Sequence, residues 1–267
     1  MKKILGLLGL LSTMLVAVSA NAAMITQWSF DEALNWTSAT FSAGNPSNPG
    51  TQTTTSTELS WGGTGPFTTP NLPITDARSA LVITNDTLTG VSLFTNGPTV
   101  ATNTITHYNN AISIDFKALT TATMLNTLTL TPVAPPDASL PQFSQTFAVK
   151  FIETPNDGLC FDGTTNNCPD IFVITAGNLT SSFTLNGFLY TLDITANGLG
   201  NLSDAACLAA GAAVGCVGII TQENAFTSAN FAVDITAVPV PEPGQMALLA
   251  IGLLGLYFVR GRKSAKL

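Results

Sequence analysis

Four stretches of this chain place a large apolar residue at every second position. Ile112, Ile114 and Phe116 form one row, Phe147, Val149 and Phe151 a second, Phe188, Tyr190, Leu192 and Ile194 a third, and Phe231, Val233 and Ile235 a fourth. A period of two puts each row on one face of an extended strand, and that face must be buried against another layer. Turn-forming clusters separate the rows: residues 44–50, Asn96-Gly97-Pro98 and Pro155-Asn156-Asp157-Gly158. Only 9% of the residues are charged, so long charged helix formers are scarce, while β-branched residues are frequent. The expected architecture is all-β, an antiparallel β-sandwich or jelly roll over residues 24–237. One helix is expected at residues 204–213, capped by Ser203 and stopping near Gly215. No repeat of fixed period is visible, and 267 residues that are 45% hydrophobic can fill a sizeable core.

The two ends differ from this body. Lys2 and Lys3 precede an apolar stretch over residues 4–18, followed by Ser19-Ala20-Asn21-Ala22-Ala23. This is the layout of a secretory signal peptide, residues 1–23, with a small-residue cleavage site at Ala20-x-Ala22. Near the other end, Pro239, Pro241 and Pro243 fix φ and remove backbone donors. An uncharged apolar run over residues 246–259 follows, then Arg260, Arg262 and Lys263. As a transmembrane helix the run would be roughly 21 Å long against a hydrocarbon core of about 30 Å, a short anchor whose basic end stays cytoplasmic.

Charge follows the same division. Of the nine basic residues, only Arg78, Lys117 and Lys150 lie between the two ends, against 16 acidic residues in the whole chain. Three scattered cations cannot supply the basic face that phosphate recognition requires, which excludes a nucleic-acid partner.

The ordered set of Pro241-Glu242-Pro243, an apolar run and a terminal basic cluster resembles the PEP-CTERM sorting signal, here residues 238–267. The resemblance implies an exosortase-type processing enzyme as partner and transient residence in the inner membrane of a Gram-negative bacterium. Delivery to the cell surface or the extracellular matrix would follow.

Cys160, Cys168, Cys207 and Cys216 all fall in the exported body, where an oxidising space favours disulfides. Four cysteines allow three pairings, and the local one, Cys160–Cys168 with Cys207–Cys216, closes two short loops. A zinc site lacks the usual Cys-x-x-Cys spacing. The single histidine, His107, lies in Thr106-His107-Tyr108-Asn109, just before the row that ends at Phe116. Catalysis would need a nucleophile and an acid converging on it. The plainer expectation is that Thr106, His107 and Asn109 bond backbone groups near a turn. Thr106-His107-x-Asn109 also resembles the hallmark of the THxN family of PEP-CTERM proteins. Leu59-Ser60-Trp61-Gly62, residues 151–156, residues 168–172 and Thr221-x-Glu223 agree in order. That family is defined by sequence and implies no chemistry, so these residues serve as markers.

No catalytic residues and no cofactor are expected. The loop carrying Asp157, Asp162 and Asp170 is rich in oxygen donors and is the candidate for Ca²⁺, without EF-hand spacing. Carboxylate pairs for glycoside hydrolysis could be drawn from Glu153 with Glu58 or Glu223, though nothing in the spacing favours them. Exposed Trp36, Trp61 or Tyr108 could form a sugar-stacking face, with core packing the commoner fate of such rings. The expected function is that of an exported structural or interaction module associated with exopolysaccharide or biofilm matrix. A glycan-binding module and a matrix hydrolase are the alternatives.

Overall fold

Alternation of apolar and polar residues carries through into two seven-stranded sheets. The structure is a computed structural model that describes residues 23–63, 67, 78–140, 142–156, 158–176, 180–240 and 251–252. The expected signal peptide up to residue 22, the triplet Pro241-Glu242-Pro243, the basic cluster and Asp157 lie outside the described residues, as does all of the apolar run except residues 251–252. Among the described residues no helix is long and apolar enough to cross a membrane.

The first sheet is ordered β12 (Gly200–Asn201), β13 (Val217–Thr221), β9 (Asp170–Ala176), β8 (Phe143–Ile152), β7 (Leu119–Ala134), β1 (Gln27–Phe41) and β5 (Thr87–Phe94). The second is ordered β10 (Thr180–Leu185), β11 (Phe188–Asn197), β14 (Ala225–Pro239), β6 (Val100–Asn109), β4 (Arg78–Thr84), β3 (Glu58–Gly62) and β2 (Thr53–Thr54). Every pairing between these strands is antiparallel. The longest ladder joins β1 to β7, from Gln27 opposite Ala134 to Phe41 opposite Leu119, with register shifts at Gln27/Trp28, Trp36/Ser38 and Thr40/Phe41. Such irregularities bend a strand and raise its local twist, which lets long strands curl around a core.

Two apolar clusters fill the space between the sheets. One gathers Trp36, Trp61, Ile105, Phe147, Val149, Phe151, Phe172 and Phe231, and the other Trp28, Phe30, Leu128, Tyr190, Val233 and Ile235. They divide at a polar pair, because along β1 and β7 the inward positions between them are Glu32 and Asn126. There the Asn126 amide donates to Glu32 Oε1 at 2.5 Å, and burial pushes the Glu32 carboxyl above its ordinary range.

The outer face of β9 is covered too. Helix α1 (Asp204–Ala209) packs Ala206 and Cys207 against Ile171 and Val173. Ser203 is its N-cap, accepting from the Ala206 amide at 3.2 Å, and Asp204 lies in the first turn, where a negative charge suits the helix end. The helix stops four residues earlier than expected, because Ala210 leaves the helical conformation and Gly211 has φ of +66°. Beneath it, Gly218 lets β13 close on β9, since a Cβ there would lie 1.9 Å from the Phe172 carbonyl oxygen.

Three of the four expected rows are strand faces, in β8, β11 and β14. The row at Ile112, Ile114 and Phe116 is not a strand: Phe116 N donates to the Ser113 carbonyl at 2.9 Å, closing a turn, and Ile114 is 86% exposed. Ser113 also accepts from the Asp115 amide through its hydroxyl at 3.3 Å, the local bonding that lets Ser divert a chain from a ladder. The strand lies just upstream, in β6, where two of the inward positions are polar.

The cysteines join in the local pairing, Cys160 to Cys168 and Cys207 to Cys216, and no free cysteine remains. Thiolate zinc coordination is thereby excluded for all four. The Cys207–Cys216 bridge closes a sequence separation of 9. Replacing both cysteines with alanine should lower the unfolding free energy by about 2–3 kcal/mol, read from urea denaturation as a lower midpoint with a slope equal to or above that of the bridged protein.

Candidate functional site

Inward rows from both sheets end in polar residues at the same end of the sandwich. In β6 the inward positions are Ile105, His107 and Asn109, all buried, while Thr104 and Tyr108 on the opposite face are half-buried. In the first sheet the β8 row Phe147, Val149, Phe151 reaches Glu153 at the next step of two, just past the strand. β9 starts with Asp170, two residues before inward Phe172. β13 places Ile219 and Thr221 inward, and the same step reaches Glu223, in the turn that crosses to β14. Four segments thus converge through strand periodicity alone.

One ligand oxygen from each of Glu153, Asp170 and Glu223 lies within 4.8 Å of the others. Each carboxyl group is held at one oxygen. Trp61 Nε1 donates to Glu153 Oε2 at 2.7 Å. The Thr154 amide and hydroxyl donate to Asp170 Oδ1 at 2.8 and 3.3 Å. Asn109 Nδ2 donates to Glu223 Oε1 at 3.3 Å and to the Thr221 carbonyl at 2.9 Å. The second oxygen of each, Glu153 Oε1, Asp170 Oδ2 and Glu223 Oε2, is buried, and among the described residues no amide, hydroxyl or indole donor reaches it, although Glu153 and Asp170 lie close enough to share a proton. His107 is 0% exposed and neither ring nitrogen has a hydrogen-bond partner among the described residues. Its Nε2 lies 3.8 Å from Asp170 Oδ2. The ring is stacked on Trp61 at 6.2 Å and meets Phe151 edge-on at 5.0 Å.

Burial governs the charges. It pushes the His107 imidazole down to about 3, so the ring is neutral at ordinary pH. It pushes the Glu153 carboxyl up to about 8, offset in part by the Trp61 hydrogen bond. Burial raises Asp170 well above its ordinary value, reinforced by the Glu153 charge, and raises Glu223 to about 7 against the bond from Asn109. The group can therefore hold protons, or a cation in their place. Glu153 and Thr154 also line a cavity of about 290 Å³, together with Phe151, Asn156, Ile112 and Phe116.

His107 and Asn109 belong to this group, whereas Thr106 points out of the sandwich and bonds the Ser228 hydroxyl across the strand at 2.8 Å. Of the three, only Asn109 bonds a backbone group through its side chain in the expected way. The Ca²⁺ loop does not assemble as expected: Asp170 turns into the core, whereas Asp162 is exposed and accepts from the Thr164 amide and hydroxyl at 3.0 and 2.6 Å. Glu153 meets Glu223 but not Glu58, which accepts from the Ser60 hydroxyl at 2.6 Å. Trp36 and Trp61 are core residues and cannot stack on a ligand. Tyr108 is half-buried on the outer face, with Phe226, 46% exposed, at 5.9 Å. The sequence offers Glu153 with Glu223 as a pair but not Asp170 beside them, although each acid continues an inward row at steps of two: Phe151-x-Glu153, Asp170-x-Phe172 and Ile219-x-Thr221-x-Glu223.

The region that immediately follows the fold matches a known signal. Residues 239–263 match the PEP-CTERM protein-sorting motif, which supports an exported, membrane-transiting protein sorted by an exosortase. No curated protein matches the chain.

The acid group gives the metal-free protein a definite pH dependence. Glu153, Asp170 and Glu223 are raised in the fold, so their protonated forms contribute stability that is fully present below about pH 4.5 and is lost as pH rises through about 7 to 8. His107 is lowered, so its neutral form contributes stability present above about 6.5 and lost as pH falls towards 3. Three opposing groups outweigh one between 4.5 and 6.5. Thermal melts in chelator should give the highest Tm near pH 4.5, falling towards pH 8, and Glu153→Gln should flatten the decline.

Proposed function

We propose that this chain is a surface-displayed structural or interaction module, cut from its membrane tail by an exosortase and retained at the cell surface or in an exopolysaccharide matrix. One observation carries the reading: the sorting motif begins on the last residue of a fully paired strand. β14 is hydrogen-bonded to β11 as far as Pro239 opposite Phe188, and the Val240 amide donates to the Gly187 carbonyl at 2.8 Å. The motif starts at residue 239. Cleavage near Pro241-Glu242-Pro243 would release the sandwich with its ladder complete. Two disulfides suit an oxidising exterior.

A non-catalytic role is part of the proposal. Its support is that His107 and Asp170 are 0% exposed and cannot themselves touch a polymer substrate. The resemblance to the THxN family agrees with a displayed module and assigns no reaction. Glycan binding is left with Tyr108 and Phe226 as its stacking surface.

Mass spectrometry of the protein recovered from cells and from matrix tests the sorting claim. The expected mature chain starts after the Ala20-x-Ala22 site, ends near the Pro-Glu-Pro triplet and lacks four thiol hydrogens. Residues beyond Gly244 in all mature molecules would overturn it. Replacing Pro241, Glu242 and Pro243 together with alanine should leave the protein in the membrane fraction, read by immunoblot of fractionated cells.

A further inference from the structure

We propose that Glu153, Asp170, Glu223 and His107 form a binding site for one divalent transition-metal ion of the Mn²⁺ or Zn²⁺ kind, which ties the two sheets together at this end of the sandwich. Clusters of acids on a surface are common and carry no such meaning. Here Asp170 and His107 are fully buried, the second oxygens of half-buried Glu153 and Glu223 are shielded from solvent, and the hydrogen bonding has the form of a ligand shell. Trp61, Thr154 and Asn109 fix one oxygen of each carboxyl group, as outer partners orient metal ligands, while the second oxygen of each takes no amide, hydroxyl or indole donor among the described residues.

His107 is the independent observation. A buried polar group almost always finds a hydrogen-bond partner, yet this fully buried ring bonds through neither nitrogen, and Nε2 is directed at Asp170 Oδ2 at 3.8 Å. Among the described residues no lysine or arginine forms an ion pair with these carboxyl groups. Ligands at about 2.0–2.2 Å from a metal sit roughly 3–4 Å from one another, so the separations of 3.8 Å and within 4.8 Å need only a small inward rotation of the side chains. An imidazole among carboxylates favours a transition ion over Mg²⁺ or Ca²⁺, which prefer oxygen alone. The cavity walled by Glu153 and Thr154 gives an approach to the site from one side. The bound ion would join β6 of one sheet to β9 of the other, and both to the crossing turn at Glu223, a role like that of a further disulfide.

The test uses the full chain, stripped with EDTA, dialysed, and offered MnCl₂, ZnCl₂, CaCl₂ or MgCl₂ separately. Elemental analysis after desalting should find about one Mn²⁺ or Zn²⁺ per chain. At about 100 times Kd, Tm should rise by about 5–10 °C, and less in Ca²⁺ or Mg²⁺. Glu223→Gln, which keeps an acceptor for Asn109 and lies at the turn, should weaken binding at least about tenfold, as should His107→Gln, while Asp162→Asn should change nothing. If Asp170→Asn fails to fold, the Glu223 variant decides. No retained ion and no Tm shift in any salt would overturn the site, as would undiminished binding in Glu223→Gln. A response to Ca²⁺ alone that survives His107→Gln would overturn the assignment to a transition metal.

Discussion

Face-to-face burial of two antiparallel sheets is the constraint on which everything else in this protein depends. Each strand contributes every second side chain to the space between the sheets, so the core is made of rows, and a row cannot change sides without a bulge or a turn. The β1–β7 ladder runs the length of the first sheet and sets the size of that space, its bulges giving the curvature that two long strands need. Where a row carries a polar residue, that residue is buried whether or not a partner awaits it. Glu32 meets Asn126 in this way at mid-height, and Glu153, Asp170, Glu223 and His107 meet one another at the end.

Burial of this kind is expensive for charge, and the fold answers it differently in the two places. At mid-height one amide serves one carboxyl. At the end, three carboxyl groups and a neutral imidazole share a volume with only Trp61, Thr154 and Asn109 as donors, which satisfies half of the oxygens. Protons or a cation complete the other half. Nearby, the Cys160–Cys168 bridge closes the loop between Glu153 and Asp170, and the Cys207–Cys216 bridge fixes α1 against the back of β9. These links hold in place the segments that supply the acids.

Export connects to the same architecture through β14. This central strand pairs with β6 over Ala225–Val233 and with β11 over Asn230–Pro239, and the sorting motif begins at its last residue. A cut at or beyond Pro241 would cost the sandwich none of the ladder bonds made by β14, which end at Pro239.

The sequence by itself determined the fold class, the export tail and the chemistry of the disulfides, because each is local: alternation within β8, β11 and β14, the order of triplet, apolar run and basic cluster, and short loops between cysteines. It misled at residues 112–116, where alternation was real but Ser113 closed a turn, and it concealed β6, whose inward row becomes polar at His107 and Asn109. Only the tertiary structure decided that Asp170 leaves its own loop to join Glu153 and Glu223, residues 17 and 53 positions away by the numbering of the chain. The physical reason is that a strand's period specifies which side a residue faces, whereas its neighbours there depend on which strands pair beside it, here β8, β9 and β13, and on which strand of the opposite sheet, here β6, packs against them.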